Sequence, residues 1–137
     1  MRERLFVDTV FVIALINCRD QYHHHAVEVS HQFEGCPLLT TDAVLLEIGN
    51  ALSRGYKTQG SRIIDEFLHS DDVEVVHVTT TLFNRGFDLY KTYNDKEWGL
   101  VDCLSFVVMR DKGVTQALTF DRHFTQAGFK VVMQEKL

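Results

Sequence analysis

Leu5-Phe6-Val7-Asp8-Thr9, running straight into Val10-Phe11-Val12-Ile13-Ala14-Leu15-Ile16, is the stretch that decides the fold. Arg4 to Val7 reads as a first strand, and Phe11, Ala14 and Leu15 fall at the i, i+3, i+4 spacing of a helix that starts just past Asp8. Working outward, the same alternation of short apolar runs with segments of helical period continues to the end of the chain, which is the pattern of an α/β domain with a mainly parallel sheet. A turn at Asn17 to Asp20 leads to a second helix, His23 to Phe33, closed by Gly35. Pro37 to Thr40 is the second strand, with Pro at its permissive first position. Thr41 or Asp42 caps a third helix that runs to about Tyr56, and Gly60-Ser61 starts a fourth. Val73 to Val78 is the third strand. Thr79 to Thr81 caps a fifth helix reaching Tyr93, and Leu100 to Lys112 is a sixth that ends at Gly113. Ala117 to Phe120 and Lys130 to Met133 complete the strands, about five in all.

The 137 residues are 45% hydrophobic with ten Phe, eight Gly and one Pro, which excludes disordered, collagen-like and low-complexity classes. With no repeat and no linker, the expectation is a single domain over residues 1–137. Fourteen Lys and Arg stand against nineteen Asp and Glu, a formal charge of −5, so bulk basicity cannot hold a nucleic acid and any phosphate contact must be local. Cys18, Cys36 and Cys103 are odd in number and lack C-x-x-C spacing, which suggests neither a disulfide framework nor a zinc site and fits a reducing cytoplasm. Asp8 interrupts the first apolar run before signal-peptide length, and the next run, Val10 to Ile16, cannot span a bilayer. A soluble, unexported protein with no membrane partner is expected.

Four acids carry the chemical signal. Asp8 follows the first strand and Asp121 follows the strand Ala117-Leu118-Thr119-Phe120, so both face the crevice outside the carboxyl ends of an open α/β sheet. Glu47 lies one turn inside the helix after strand two. Asp102 sits in the first turn of helix six within the apolar stretch Leu100-Val101-Asp102-Cys103-Leu104, a costly place for a carboxylate. Carboxylates gathered at close range repel and raise one another's pKa unless a cation neutralises them. Hard oxygen ligands select Mg²⁺ or Mn²⁺, and the arrangement suits displacement at a phosphodiester by a metal-activated water. Each acid also has a plainer role: Asp8 as a helix cap, Asp102 as an N-terminal acid favoured by the helix dipole, Glu47 on a solvated face.

The local wording narrows the choice. Phe6-Val7-Asp8-Thr9, Leu45-Leu46-Glu47-Ile48 with Asn50, Leu100-Val101-Asp102-Cys103, and Leu118-Thr119-Phe120-Asp121-Arg122-His123-Phe124 followed by Ala127-Gly128-Phe129 together resemble the PIN-domain family, and within it the VapC-like toxin ribonucleases. The resemblance implies a three-layer α/β/α fold and a metal-dependent endoribonuclease in which Asp8, Glu47, Asp102 and Asp121 gather Mg²⁺ or Mn²⁺, with Thr9 and Thr119 orienting the site. It also implies an RNA substrate, restraint by a small antitoxin protein and a homodimer. Val10 stands where the family often has a second hydroxyl, and Gly99 and Val101 where it often has Ser and Thr, so hydroxyl support is thinner here while the four acids remain.

Other residues admit more than one reading. His23-His24-His25 looks like a metal tract, yet neighbours on a helix point about 100° apart and cannot share one ion. His123 is a phosphate contact, part of a solvated turn, or the partner of a local acid. Arg122, and the cluster Arg54, Lys57 and Arg62 near the junction of helices three and four, are candidate RNA contacts that could equally be solvated corners. Asp95 reads as part of a turn ending helix five. Phe83, Phe87, Tyr90 and Tyr93 recur at helical spacing and point to core or subunit-interface packing more than to a base-stacking platform.

Two alternatives to the nuclease stand. A non-catalytic RNA- or partner-binding module of the same fold would have no need of all four acids. A phosphotransfer protein of receiver or haloacid-dehalogenase type would need a second Asp at position 10, where Val10 stands, or a phosphoacceptor Asp after strand three, where the chain reads Val78-Thr79-Thr80.

Overall fold

The computed structural model describes residues 3–133. Its elements follow in the order β1 (Leu5–Val7), α1 (Thr9–Ile16), α2 (His23–Gln32), β2 (Leu38–Thr41), α3 (Asp42–Ala51), α4 (Lys57–His69), β3 (Val73–Val76), α5 (Thr80–Thr92), α6 (Leu100–Lys112), β4 (Gln116–Leu118), α7 (Arg122–Gln126) and β5 (Lys130–Val131). The five strands form one sheet in the order β3-β2-β1-β4-β5, and every pairing is parallel. Helices α1 to α4 pack on one another, as do α5 to α7, giving a three-layer α/β/α sandwich. Leu5, Phe6 and Val7 are all buried, which is why this strand reads as an unbroken apolar run rather than an alternating one.

The chain lays down β2 and β3 on one side of β1 and then crosses to place β4 and β5 on the other. The order therefore reverses between β1 and β4, and a crevice opens at the carboxyl ends of those two strands. Their ends are tied tightly: the Asp8 N–H donates to Leu118 O at 3.2 Å and the buried Thr40 hydroxyl donates to Val7 O at 2.9 Å. Below them an aromatic cluster fills the core, with Phe106 edge-on to both Phe124 and Trp98, and Phe124 against Phe6.

Caps follow the sequence closely. Thr41 and Thr79 accept from the N–H groups of Val44 and Leu82, and α6 ends at Gly113 in the left-handed conformation (φ 67°). Four expectations need correction. Helix α3 stops at Ala51, because the turn that follows needs Gly55 at φ 83°, and α4 starts at Lys57 rather than at Gly60. Gly60 is buried inside α4, where a Cβ would lie 3.2 Å from Leu52 Cβ; it permits close packing of α3 on α4 and does not begin a helix. Strands β3, β4 and β5 end at Val76, Leu118 and Val131, earlier than their apolar runs, and the short helix α7 follows Asp121. Finally, of the core and subunit-interface roles expected for Phe83, Phe87, Tyr90 and Tyr93, the structure removes the core one. They are 40–45% exposed, because α5 turns its other face, Leu82, Gly86 and Leu89, toward the interior.

Helix α5 approaches α6 so closely that a Cβ on Gly86 would lie 2.6 Å from Leu104 Cδ2 and 3.1 Å from its Cγ. Leu104 is itself buried and cannot swing into solvent. Gly86→Ala should therefore lower stability by about 1–3 kcal/mol, despite the better helix propensity of Ala, with the loss read as a lower urea midpoint at unchanged slope.

Candidate active site

Asp8 leaves β1 at the reversal point and is only 4% exposed. It occupies the N-cap position of α1 but makes no side-chain capping bond, so the plain role of a helix cap does not describe it. Its Oδ2 instead accepts from the fully buried Thr119 hydroxyl at 2.8 Å, and the same Thr119 oxygen accepts from the Asp121 N–H at 3.0 Å. One threonine at the end of β4 thus fixes both acids that the strand ends bring to the crevice. Burial pushes the Asp8 carboxyl up to about 7; the Thr119 hydroxyl and the Thr9 backbone N–H hold it down in part, while the negative charges of Asp102 and Asp121 push it further up.

Asp102 reaches the crevice from the first turn of α6. Its Oδ2 accepts from the Gly99 N–H at 3.1 Å, which fixes the carboxylate at the helix start. Burial raises its pKa, the His123 contact opposes that, and Asp121 adds repulsion. Asp121 caps α7 by accepting from the His123 N–H at 2.9 Å. The His123 ring follows from that turn: Nδ1 lies 3.0 Å from Asp102 Oδ2 and 3.3 Å from Asp121 Oδ1. Ligand atoms of Asp102, Asp121 and His123 all lie within 4.8 Å of one another, the spacing of a group able to hold a metal ion. His123 is therefore the partner of local acids, one of its sequence readings.

Glu47 does not join that cluster. It is exposed on α3, and its Oε1 accepts from the Thr9 hydroxyl at 2.7 Å. Thr9 thus links Glu47 to the residue beside Asp8, and the two threonines tie the carboxylates of two different layers to the strand ends. The donor set suits a divalent cation, because carboxylates that raise one another's pKa gain most from a positive charge placed among them, and oxygen with imidazole nitrogen favours hard or borderline ions.

On the Asp121 side a cleft of about 540 Å³ is walled by Asp95, Lys96, Glu97, Arg122 and His123. Arg122 is exposed there and enters no salt bridge among the described residues; the same holds for Arg54, Lys57 and Arg62 at the α3–α4 corner, whereas Arg4, Arg85, Lys91, Lys96 and Lys112 are all paired. Asp95 lies in the turn after α5, beside Lys96. The histidine tract divides as helix geometry requires: His23 Nδ1 bonds Ala14 O, His25 meets the edge of Phe120, and His24 is exposed.

Residues 5–130 match the PIN-domain family model, and the chain belongs to the PIN-domain family. It is 33% identical over 133 residues to the 23S rRNA-specific endonuclease VapC20 of Mycobacterium tuberculosis, covering 96% of this chain and 99% of that protein, and 28% identical over 112 residues to a VapC ribonuclease of Aquifex aeolicus, covering 77% and 82%. The crystal structure of VapC20, described as a sarcin-ricin loop cleaving toxin, superposes with a TM-score of 0.82 at 32% identity over 91% of this chain and 95% of that one. FitAcB from Neisseria gonorrhoeae shares the fold, with a TM-score of 0.63 at 12% identity over 93% and 95% of the two chains.

The Asp8 carboxyl carries a consequence for stability. Its folded pKa lies above the ordinary 3.8, so between about pH 4 and pH 7 the folded protein holds a proton that the unfolded chain releases. Stability contributed by this group is therefore present at low pH and lost as pH rises toward 7. Metal-free protein should show this fall between about pH 4 and pH 7, and Asp8→Asn should remove a part of it on the order of a few kcal/mol, read as the difference between the two stability–pH profiles from urea titration.

Proposed function

We propose that this chain is a metal-dependent endoribonuclease and the toxin of a toxin–antitoxin pair, one nuclease domain spanning residues 1–137. The observation that carries the reading is the convergence of Asp8, Asp102 and Asp121 at the reversal of strand order, with the Asp8 carboxyl driven up to about 7 by burial and by the other two. The likeness over nearly the full chain to an rRNA-cleaving endonuclease supports RNA as substrate and a protein antitoxin as partner.

In this reading Asp8, Asp102 and Asp121 hold Mg²⁺ or Mn²⁺, with Glu47 completing the site from its rim. Bound there, the cation would neutralise the carboxylates, polarise a phosphodiester oxygen and lower the pKa of the attacking water. The chain's own residues do the positioning. Thr119 holds Asp8 and the Asp121 backbone through one oxygen, Gly99 fixes Asp102, and Thr9 orients Glu47, whose second oxygen is left to accept a proton. Arg122 meets a backbone phosphate at the cleft mouth, and Arg54, Lys57 and Arg62 guide the strand from the α3–α4 corner, local positive charge on a chain that is acidic as a whole.

Cleavage of RNA by the purified protein should require Mg²⁺ or Mn²⁺ and stop with EDTA. Asp102→Asn should stay folded and lose more than the ~100-fold that removal of an outer-shell partner typically costs at a metal site. Cleavage that persists in excess chelator would sink the metal mechanism. Metal binding by the wild-type protein without any cleavage would instead favour the non-catalytic module.

The exposed stripe Phe83, Phe87 and Tyr90, with Lys91 Nζ 4.6 Å above the Phe87 ring, supports a homodimer built on α5. Phe83→Glu with Phe87→Glu should convert the dimer to a folded monomer in sedimentation velocity. A dimer that survives these changes while RNA affinity falls would return the stripe to the base-stacking role.

A further inference from the structure

A second hollow adjoins the acids on the side away from Arg122. It encloses about 420 Å³, is lined by Val10, Ile13, Asp20, Gln21 and Tyr22, and shares Phe120 and Asp121 with the cleft already described. Its wall is an aromatic pair: Tyr22 and Phe120 stack with centroids 4.1 Å apart at an interplanar angle of 19°, and His25 meets Phe120 edge-on. Neither ring is fully buried. Val10, 37% exposed, supplies an apolar floor where a hydroxyl residue would have made it polar.

We infer that this hollow seats one nucleobase of the RNA, beside the phosphodiester held at the acids. The inference rests on the ribonuclease reading and adds to it where the strand is gripped. A base stacked on an aromatic platform is a mode of recognition open to single-stranded RNA, and the position of Phe120, one residue before Asp121, puts the platform next to the reacting group. The polar rim suits a base edge. Asp20 Oδ1 already accepts from the Tyr22 N–H at 2.9 Å, which fixes the carboxylate at the start of α2, and Oδ2 has no hydrogen-bond partner among the described residues. A carboxylate only accepts, so it fits base edges that donate, above all the adjacent N1–H and amino group of guanine. Gln21 beside it can donate and accept. Phosphates then run toward Arg122 on the other side of Asp121, where charge, not stacking, is on offer.

The test separates the seat from the ribonuclease reading by using a probe that cannot be cleaved. Guanosine 5′-monophosphate added to metal-free protein should shift the backbone amide resonances of Val10, Tyr22 and Phe120, and ribose 5-phosphate, which lacks the base, should not. With an RNA substrate, Tyr22→Leu and Phe120→Leu keep apolar volume and remove the stack; each should raise KM about tenfold, with most of the loss falling on KM rather than kcat. Asp20→Asn, which preserves the bond from Tyr22 N–H, should weaken the monophosphate without disturbing the fold. An equal response to ribose 5-phosphate overturns the inference, as does a monophosphate that leaves these resonances unmoved, the result expected if the hollow receives a protein side chain. Unchanged KM in both leucine variants, each shown to be folded, overturns it too. Failure of the wild-type protein to cleave RNA would count against the ribonuclease reading, while the monophosphate shifts would still report on the seat.

Discussion

A carboxylate buried at the end of the central strand sets the terms for everything around it. Asp8 is 4% exposed, and a charged group there needs either a proton, hydrogen bonds or a counter-charge. Thr119, the residue after β4, supplies the hydrogen bond, and it can do so only because β4 lies directly beside β1, in a register that pairs Val7 with Leu118. That adjacency follows from the reversal of strand order, so sheet topology and the environment of one side chain are a single constraint. The remaining acids make the position worse: Asp102 and Asp121 each raise the Asp8 pKa further, so the carboxylates crowd one another rather than stabilise the crevice.

Much of the fold was legible because its signals were local. Leu5-Phe6-Val7 could only be a short buried strand, Thr41 and Thr79 fit the N-cap positions they occupy, and Gly113 takes the left-handed conformation that ends α6. What misled were residues whose role is set by a partner distant in sequence. Gly60 looks like punctuation until Leu52 of α3 is found against it. The aromatic stripe of α5 has the period of a buried face, yet Gly86 on the opposite face lets the helix approach α6 more closely than any ring would allow. Hydrophobic period gives the direction of a face only when one face is apolar, and α5 has two.

The site divides in the same way. Asp8 and Asp121 were readable from the rule that ligand crevices lie beyond strand ends, and Asp102 from the oddity of an acid in an apolar helix start. Glu47 was placed on the right helix, but its link to the site runs through Thr9, a hydrogen bond across 38 positions. Nothing in the sequence pairs Tyr22 with Phe120 either, since their stack depends on how the loop before α2 returns over the end of β4. The double hydrogen bond of His123 to two acids was only half visible: a histidine two residues past Asp121 suggests an acid partner, while the approach of Asp102 belongs to α6.

His123 also ties two of the crevice acids together. Its ring Nδ1 lies 3.0 Å from Asp102 Oδ2 and 3.3 Å from Asp121 Oδ1, so one side chain bridges the carboxylates of α6 and of the turn before α7. It reaches neither Asp8, which relies on Thr119, nor Glu47, which relies on Thr9. Threonine hydroxyls therefore hold Asp8 and Glu47, and an imidazole bridges Asp102 and Asp121. A cation placed between Asp102 and Asp121 would meet oxygens that already face the imidazole, so the ring would have to join it as a ligand or give way. Asp102 is fixed by the Gly99 N–H and Asp121 by the His123 N–H at the start of α7, so backbone donors set the positions of both carboxylates. The carboxylates are thus held by backbone donors and threonine hydroxyls, the kind of support that keeps a functional site in one geometry.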